Sequence, residues 1–350
     1  MVSLADIREA RERVAPVIRD TPMLRSDSLS SLLGRPVWCK GEHLQRTGSF
    51  KIRGAYNLIS RLDPGVDVVA ASAGNHAQGV ALAANLTGRR STIFMPVNAP
   101  LPKLDATRGY GADVQLTGSV VDECIEAAQA FAAERGAIFV PPFDDPLIVA
   151  GQGTIGLEIA EALPDAEVVI VPIGGGGLIA GIAAALAYTR RSVRVIGVEP
   201  EGAASMAAAI AKSDPVMLDS VDTMADGVAV KSVSKLTLAH VQAYVDEVVT
   251  VSEEEISRAL LLLLERQKAL VEPAGASALA ALLAGKIGGT GTAVALLSGG
   301  NVDPLLLIRL IDHGLSVAGR YVILRIVLRD HPGALAGLTA AVAEMGLNVL

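Results

Sequence analysis

Aromatic residues are scarce in this 350-residue chain: five Phe, five Tyr and one Trp, although half of all residues are hydrophobic. The core must therefore be filled by Ala, Val, Leu and Ile, a mixture that suits a large α/β protein with strands buried on both faces. Only two cysteines occur, Cys39 and Cys124, too few for a disulfide framework, which points to a reducing cytoplasm. There is no Lys/Arg-rich run and the net charge is −7, which argues against nucleic acid as the main partner. The opening "MVSLADIREARERVAP" is charged and helical in pattern, unlike a signal peptide. One uncharged stretch, 168–189, is long enough to span a membrane. Pro172 and four successive glycines divide it into a β-branched run and an Ala-rich helix, so it reads as buried strand, turn and buried helix.

What is abundant is alternation. Short apolar runs at 67–74, 91–100, 112–118 and 137–143 are each separated by amphipathic helical stretches. A second series runs from a helix at Gly151 through "EVVIVPIG", a further helix and "VRVIGVEP" to "TAVALLSGGN" at 292–301. This rhythm predicts α/β architecture with two open, twisted, mostly parallel sheets, binding a ligand where strand ends face a crevice. The tail from 321 onwards reads differently, as strand, Asp-x-Pro-Gly turn, helix and the opening of another strand, the first part of a small α+β unit.

Four places carry chemistry. Lys51, in "RTGSFKIRGAYN", stands between Phe50 and Ile52 at the predicted start of a helix, where a cation is disfavoured by the helix dipole. The plain reading is a snorkelling surface lysine; the alternative is an amine kept for chemistry. Gly174, Gly175, Gly176 and Gly177 join a strand to a helix, which offers consecutive N–H groups to a phosphate. Gly175, Gly177 and Ala180 also fit the loose dinucleotide pattern, with Glu199 where a ribose-binding acid belongs, so an NAD-dependent dehydrogenase is a rival. "SAGNHAQG", Ser72–Gly79, is either a helix capped by Ser72 or Asn75, or a nest for a carboxylate. His76 by itself reads more simply as a hydrogen-bonded structural residue. "SGGN", 298–301, adds a strand-end hydroxyl at Ser298. A lysine amine, a phosphate nest, a carboxylate nest and a hydroxyl together point to pyridoxal 5′-phosphate.

"RTGSFKIRGA", "SAGNHAQG", "AGQGTIGLEI", "GGGGL", "ADG", "EPAGA" and "SGGN" follow one another in the order found in pyridoxal-phosphate threonine ammonia-lyases. Over residues 4–315 the chain resembles that family, of the tryptophan-synthase-β-like fold group. The resemblance implies a large cofactor-binding domain of 1–45 and 146–315 and a small substrate domain of 46–145. It implies that Lys51 forms the imine, Phe50 packs beside the cofactor, and Asn75 partners the phenolic oxygen. Gly174 to Gly177, with Leu178, would cradle the phosphate and Ser298 would face the pyridine nitrogen. Ser72, Ala73, Gly74, Asn75 and His76 would hold the substrate carboxylate. The implied reaction converts L-threonine to 2-oxobutyrate and ammonia, with L-serine as a second substrate, in isoleucine biosynthesis or threonine catabolism.

Serine dehydratases and serine racemases of the same group are the nearest alternatives. Racemases place a reprotonating serine where this chain has Ala73. Their divalent-metal spacing meets Glu199 and Ala203 here but Ser205 in place of an aspartate, so no metal of that kind is expected. The tail "LRDHPGALAGL", within 320–350, resembles the start of an ACT domain, an amino-acid-binding module. Homodimers or homotetramers are usual for the family.

Overall fold

The computed structural model describes residues 1–190, 192–320 and 324–347. Among these residues ten strands fall into two sheets. They are β1 Met23–Arg25, β2 Val37–Lys40, β3 Val68–Ala71, β4 Ser91–Met95, β5 Asp113–Leu116, β6 Ile138–Phe139, β7 Val168–Pro172, β8 Arg194–Pro200, β9 Glu247–Val251 and β10 Ala293–Leu296. Strands β5-β4-β3-β6, in that order, form a four-stranded sheet, parallel throughout. The six-stranded sheet has the order β1-β2-β10-β7-β8-β9, parallel except for the antiparallel edge strand β1.

The central strands explain the low aromatic content. Every residue of β3, β7 and β10 is buried, so "VVAA", "VVIVP" and "AVAL" face helices on both sides and have room only for small or branched side chains. The helices come close through glycine. A Cβ on Gly181, in helix Gly177–Thr189, would stand 2.2 Å from the Val149 carbonyl oxygen of helix Pro146–Ala162. The second helix begins five residues before the expected Gly151, with Asp145 as N-cap and Pro146 in the first turn.

The 168–189 stretch forms β7, a glycine turn and a 13-residue helix. Among the described residues no helix is long and apolar enough to cross a membrane.

The tail departs from expectation. The helix before it runs from Pro304 to Val317. A helix follows at Ala334–Glu344, but residues 324–329 form no strand. A strand needs a neighbour to satisfy its backbone groups, and none among the described residues pairs with this segment. Residues 321–323 of the expected strand, and 348–350 of the next one, lie outside the described residues.

Candidate active site

The carboxyl ends of β3, β7 and β10 meet at one cavity of about 500 Å³ between the two sheets. Lys51, Phe50, Ser72, Ala73, Asn75, His76, the four glycines, Leu178 and Ser298 all line it. Gly74 does not; its N–H donates to Ser72 Oγ (3.1 Å) at the start of the helix Asn75–Leu86. The sequence-predicted site residues, scattered over some 250 positions, are thus brought together with that exception.

Lys51 is the first residue of helix Lys51–Ile59. Its Nζ donates to the Pro142 carbonyl oxygen (3.0 Å) and lies 5.2 Å from the centre of the Phe50 ring. The side chain is accessible only in part, and it faces the cavity. Burial lowers its pKa to about 8, while the Glu272 carboxyl acts in the opposite direction. An ammonium in this setting gives up its proton far more readily than a surface lysine.

Two helix N-termini open on the same cavity, and neither carries a side-chain cap. At Gly177–Thr189 the cap residue is Gly176, in the left-handed conformation with φ +88°, and the Gly174–Leu178 N–H groups donate to no carbonyl among the described residues. Burying such donors without acceptors is costly, so they fit an anion. The glycines also have a packing role. A Cβ on Gly175 would come within 2.1 Å of the Phe143 ring, and one on Gly174 within 2.9 Å of Val228 Cα. At Asn75–Leu86 the cap is Gly74, so neither Ser72 nor Asn75 caps the helix as a structural reading would have it. Its first N–H groups, too, have no acceptor among the described residues.

His76 answers to the simpler reading. It is buried, its Nε2 lies 2.9 Å from the Val140 carbonyl oxygen, and burial, reinforced by the Lys51 charge, pushes its pKa down to about 3. It is a neutral hydrogen-bonding residue at working pH. The Ser298 hydroxyl has no hydrogen-bond partner among the described residues and faces the cavity. Glu199 is committed elsewhere. It is fully buried and accepts the N–H groups of Met206 (2.7 Å) and Ala207 (2.9 Å), so no carboxylate waits there for a ribose, and the dehydrogenase reading loses its acid. Ser205 is buried at the first position of the helix that Glu199 caps. Among the described residues no group of three or more His, Cys, Asp or Glu is placed to hold a metal ion.

Sequence reasoning missed several lining residues. Phe143 floors the glycine turn, and Pro142 receives the Lys51 amine. Lys103 pairs with Asp226 at the cavity wall, and Lys231 with Asp122 at 3.4 Å. Glu272 accepts from Asn75 Nδ2 (2.6 Å), while Asn301 Nδ2 donates to Asn75 Oδ1 (2.8 Å). "ADG" and "EPAGA" carry Asp226 and Glu272, so the motifs marked the places without showing what the acids do.

The set of groups matches pyridoxal phosphate: a buried amine of lowered pKa, a glycine cradle that a Cβ would fill, a second anion-binding helix end and a free hydroxyl. Comparison with known proteins agrees. An L-threonine ammonia-lyase of Thermotoga maritima is 49% identical over 354 residues, covering 100% of this chain and 88% of that protein. The processed form of threonine deaminase isoform 2 from Solanum lycopersicum superposes with a TM-score of 0.84 at 40% identity, covering 89% of this chain and 92% of the other. Maize serine racemase gives a TM-score of 0.84 at 35% identity, with 91% and 99% covered. The family model described as "Pyridoxal-phosphate dependent enzyme" matches residues 14–299, so this chain, with its amine and glycine cradle inside those bounds, is a member of that family.

Proposed function

We propose that the protein is a threonine ammonia-lyase that converts L-threonine to 2-oxobutyrate and ammonia and also accepts L-serine. The observation that carries the proposal is the low-pKa Lys51 amine in a cavity that also receives two uncapped helix N-termini. The 49%-identical relative bears that name over the whole length of this chain.

Each residue has a task in this reading. The N–H groups of Gly174–Gly177 and Leu178 bind the phosphate, and those beginning helix Asn75–Leu86, with Ser72 and Ala73, bind the substrate carboxylate. Asn75 donates to the phenolic oxygen, Ser298 faces the pyridine nitrogen, and Phe50 packs beside the ring. When bound, pyridoxal phosphate supplies an aldehyde that condenses with an amine and a ring that takes up electrons from the substrate Cα. Lys51 Nζ removes the Cα proton; its lowered pKa leaves about a tenth of it unprotonated at pH 7, against well under a hundredth for an ordinary lysine. The substrate hydroxyl then leaves as water, and hydrolysis of the resulting enamine yields the oxo acid and ammonia. Ser298, a hydroxyl rather than a carboxylate, does not hold the pyridine nitrogen protonated, which favours elimination over transamination. Ala73, on the cavity wall, has no proton to return to the other face of Cα, which disfavours a racemase.

In the same reading residues 46–145 form the substrate domain, 1–45 and 146–315 the cofactor domain, and 320–350 an ACT-like segment for an amino-acid effector. The protein is then a cytoplasmic homodimer or homotetramer. The test is turnover: wild type releases 2-oxobutyrate from L-threonine, and Lys51→Ala lowers kcat by at least about 10³-fold, the scale on which loss of a covalent and acid–base group is felt. Retained turnover in the variant contradicts the assignment.

A further inference from the structure

Glu272 is a buried acid on the cavity wall that the reaction above leaves unused. It is the N-cap residue of helix Pro273–Leu283, yet its carboxyl makes no capping hydrogen bond. The side chain is 3% exposed and turns instead to the cavity wall, where Oε1 accepts from Asn75 Nδ2 at 2.6 Å. Two glycines make room for it: a Cβ on Gly299 would lie 2.3 Å from Oε1, and one on Gly227 3.4 Å. Asn301 Nδ2 closes the other side of the Asn75 amide at 2.8 Å and is itself anchored to the Thr47 carbonyl oxygen at 2.7 Å. The amide is thereby fixed in one orientation, with its oxygen committed to Asn301 and one of its two N–H bonds to Glu272. Only the second N–H remains for a ligand.

We propose that Glu272 is a positioning residue: it holds the Asn75 amide against the cofactor, and the gain or loss of its proton changes how strongly that amide donates. The inference rests on the cofactor reading above. A carboxylate beside Asn75 draws on the amide and opposes negative charge on the phenolic oxygen; a neutral carboxyl still accepts from the amide but more weakly, and adds no charge. Burial pushes the Glu272 pKa up to about 7, and Asp226 adds to the rise. The Asn75 hydrogen bond, Lys103 and Lys51 oppose it. His43 packs on Gly300, one residue from Gly299, and burial lowers its pKa, with the Glu42 carboxylate acting in the opposite direction. Both forms of Glu272 are therefore populated near neutrality, and the neutral form dominates below it.

The experiment reads the absorption spectrum of the full chain loaded with pyridoxal phosphate, titrated from about pH 5.5 to about pH 9. Wild type is expected to show a spectral limb near pH 7, distinct from any limb at higher pH. Glu272→Gln keeps an acceptor for Asn75 but has no proton to lose, so the protein stays coloured and the lower limb disappears. Glu272→Ala loses the acceptor as well, and cofactor affinity falls about tenfold or more. A bare cross-link would lower the thermal midpoint of the cofactor-free variants and leave the limb in place. A Glu272→Gln protein that keeps the wild-type limb overturns the inference while the cofactor reading stands. A wild-type protein that takes up no colour overturns both. Should Glu272→Gln fail to fold, Asn75→Ala serves instead: it removes the amide that carries the effect, and a limb that persists there overturns the inference.

Discussion

At Gly175 one added carbon would decide whether the phosphate cradle keeps its shape. The Phe143 ring lies where a Cβ would be, with its Cγ only 2.3 Å away, so the ring as a whole must move. Gly175→Ala should cost about 1–3 kcal/mol of stability, as overpacking does, measured by urea unfolding of the cofactor-free protein. It should also weaken cofactor binding, and adding Phe143→Ala should restore part of both losses. If the second change restores neither, the ring is not the obstacle. Lys51 makes a pH prediction at the same scale. Its folded pKa is lowered to about 8 from 10.5, so the reactive neutral amine grows as pH rises through 8. The rate of cofactor capture by the free protein, followed by absorbance, should rise from pH 7 and level off above 8; a rise that continues to pH 10 would mean an ordinary lysine. Lys51, Ser298 and the glycines were legible in the sequence because each lies in a contiguous run with its own chemical pattern. Phe143 and Asn301 were not, since what matters about them is a neighbour more than 30 residues away in the chain.

Helix Lys51–Ile59, which carries the amine, is held from behind by buried charge. Arg53 is wholly buried and forks onto two carboxylates, with Nε and Nη2 at 2.9 and 2.8 Å from Glu42, and Nη1 and Nη2 at 2.5 and 3.0 Å from Glu158. Lys40 Nζ adds a contact to Glu158 at 2.6 Å and one to the Thr21 carbonyl oxygen at 2.6 Å, and Thr21 bonds Glu42. Two cations thus face two anions, and the group is balanced only as a whole. Arg53→Met should cost about 3–5 kcal/mol by urea unfolding, since it leaves Glu42 buried without a cation and Glu158 with Lys40 alone. A loss below about 1 kcal/mol would mean that water already reaches the pair. At this scale the strands were read well because period and burial are local, whereas this network links residues 21 to 158 and leaves no sequence pattern. The N-terminal extension of helix Pro146–Ala162 had a signal that was passed over, the Asp-Pro pair at 145–146. The tail strand failed for a different reason: an apolar run predicts a strand only where a partner strand exists.

Across the whole molecule, two mostly parallel sheets bring their strand ends to one cavity, and the ion pairs Lys103–Asp226 and Lys231–Asp122 join residues on its wall. The α/β alternation made this architecture readable, because parallel strands with helical crossovers must end on one side of a sheet. The way one sheet faces the other was not readable, and it is what sets Lys51 among the glycines. Whether this lysine carries the cofactor is open to a direct chemical test. The protein is loaded with pyridoxal phosphate, reduced with borohydride, digested, and its modified peptide is sequenced. The expected result is loss of the visible band on reduction, one cofactor per chain, and the label on Lys51. A label spread over surface lysines such as Lys212 and Lys235, or a protein that takes up no cofactor, would contradict it.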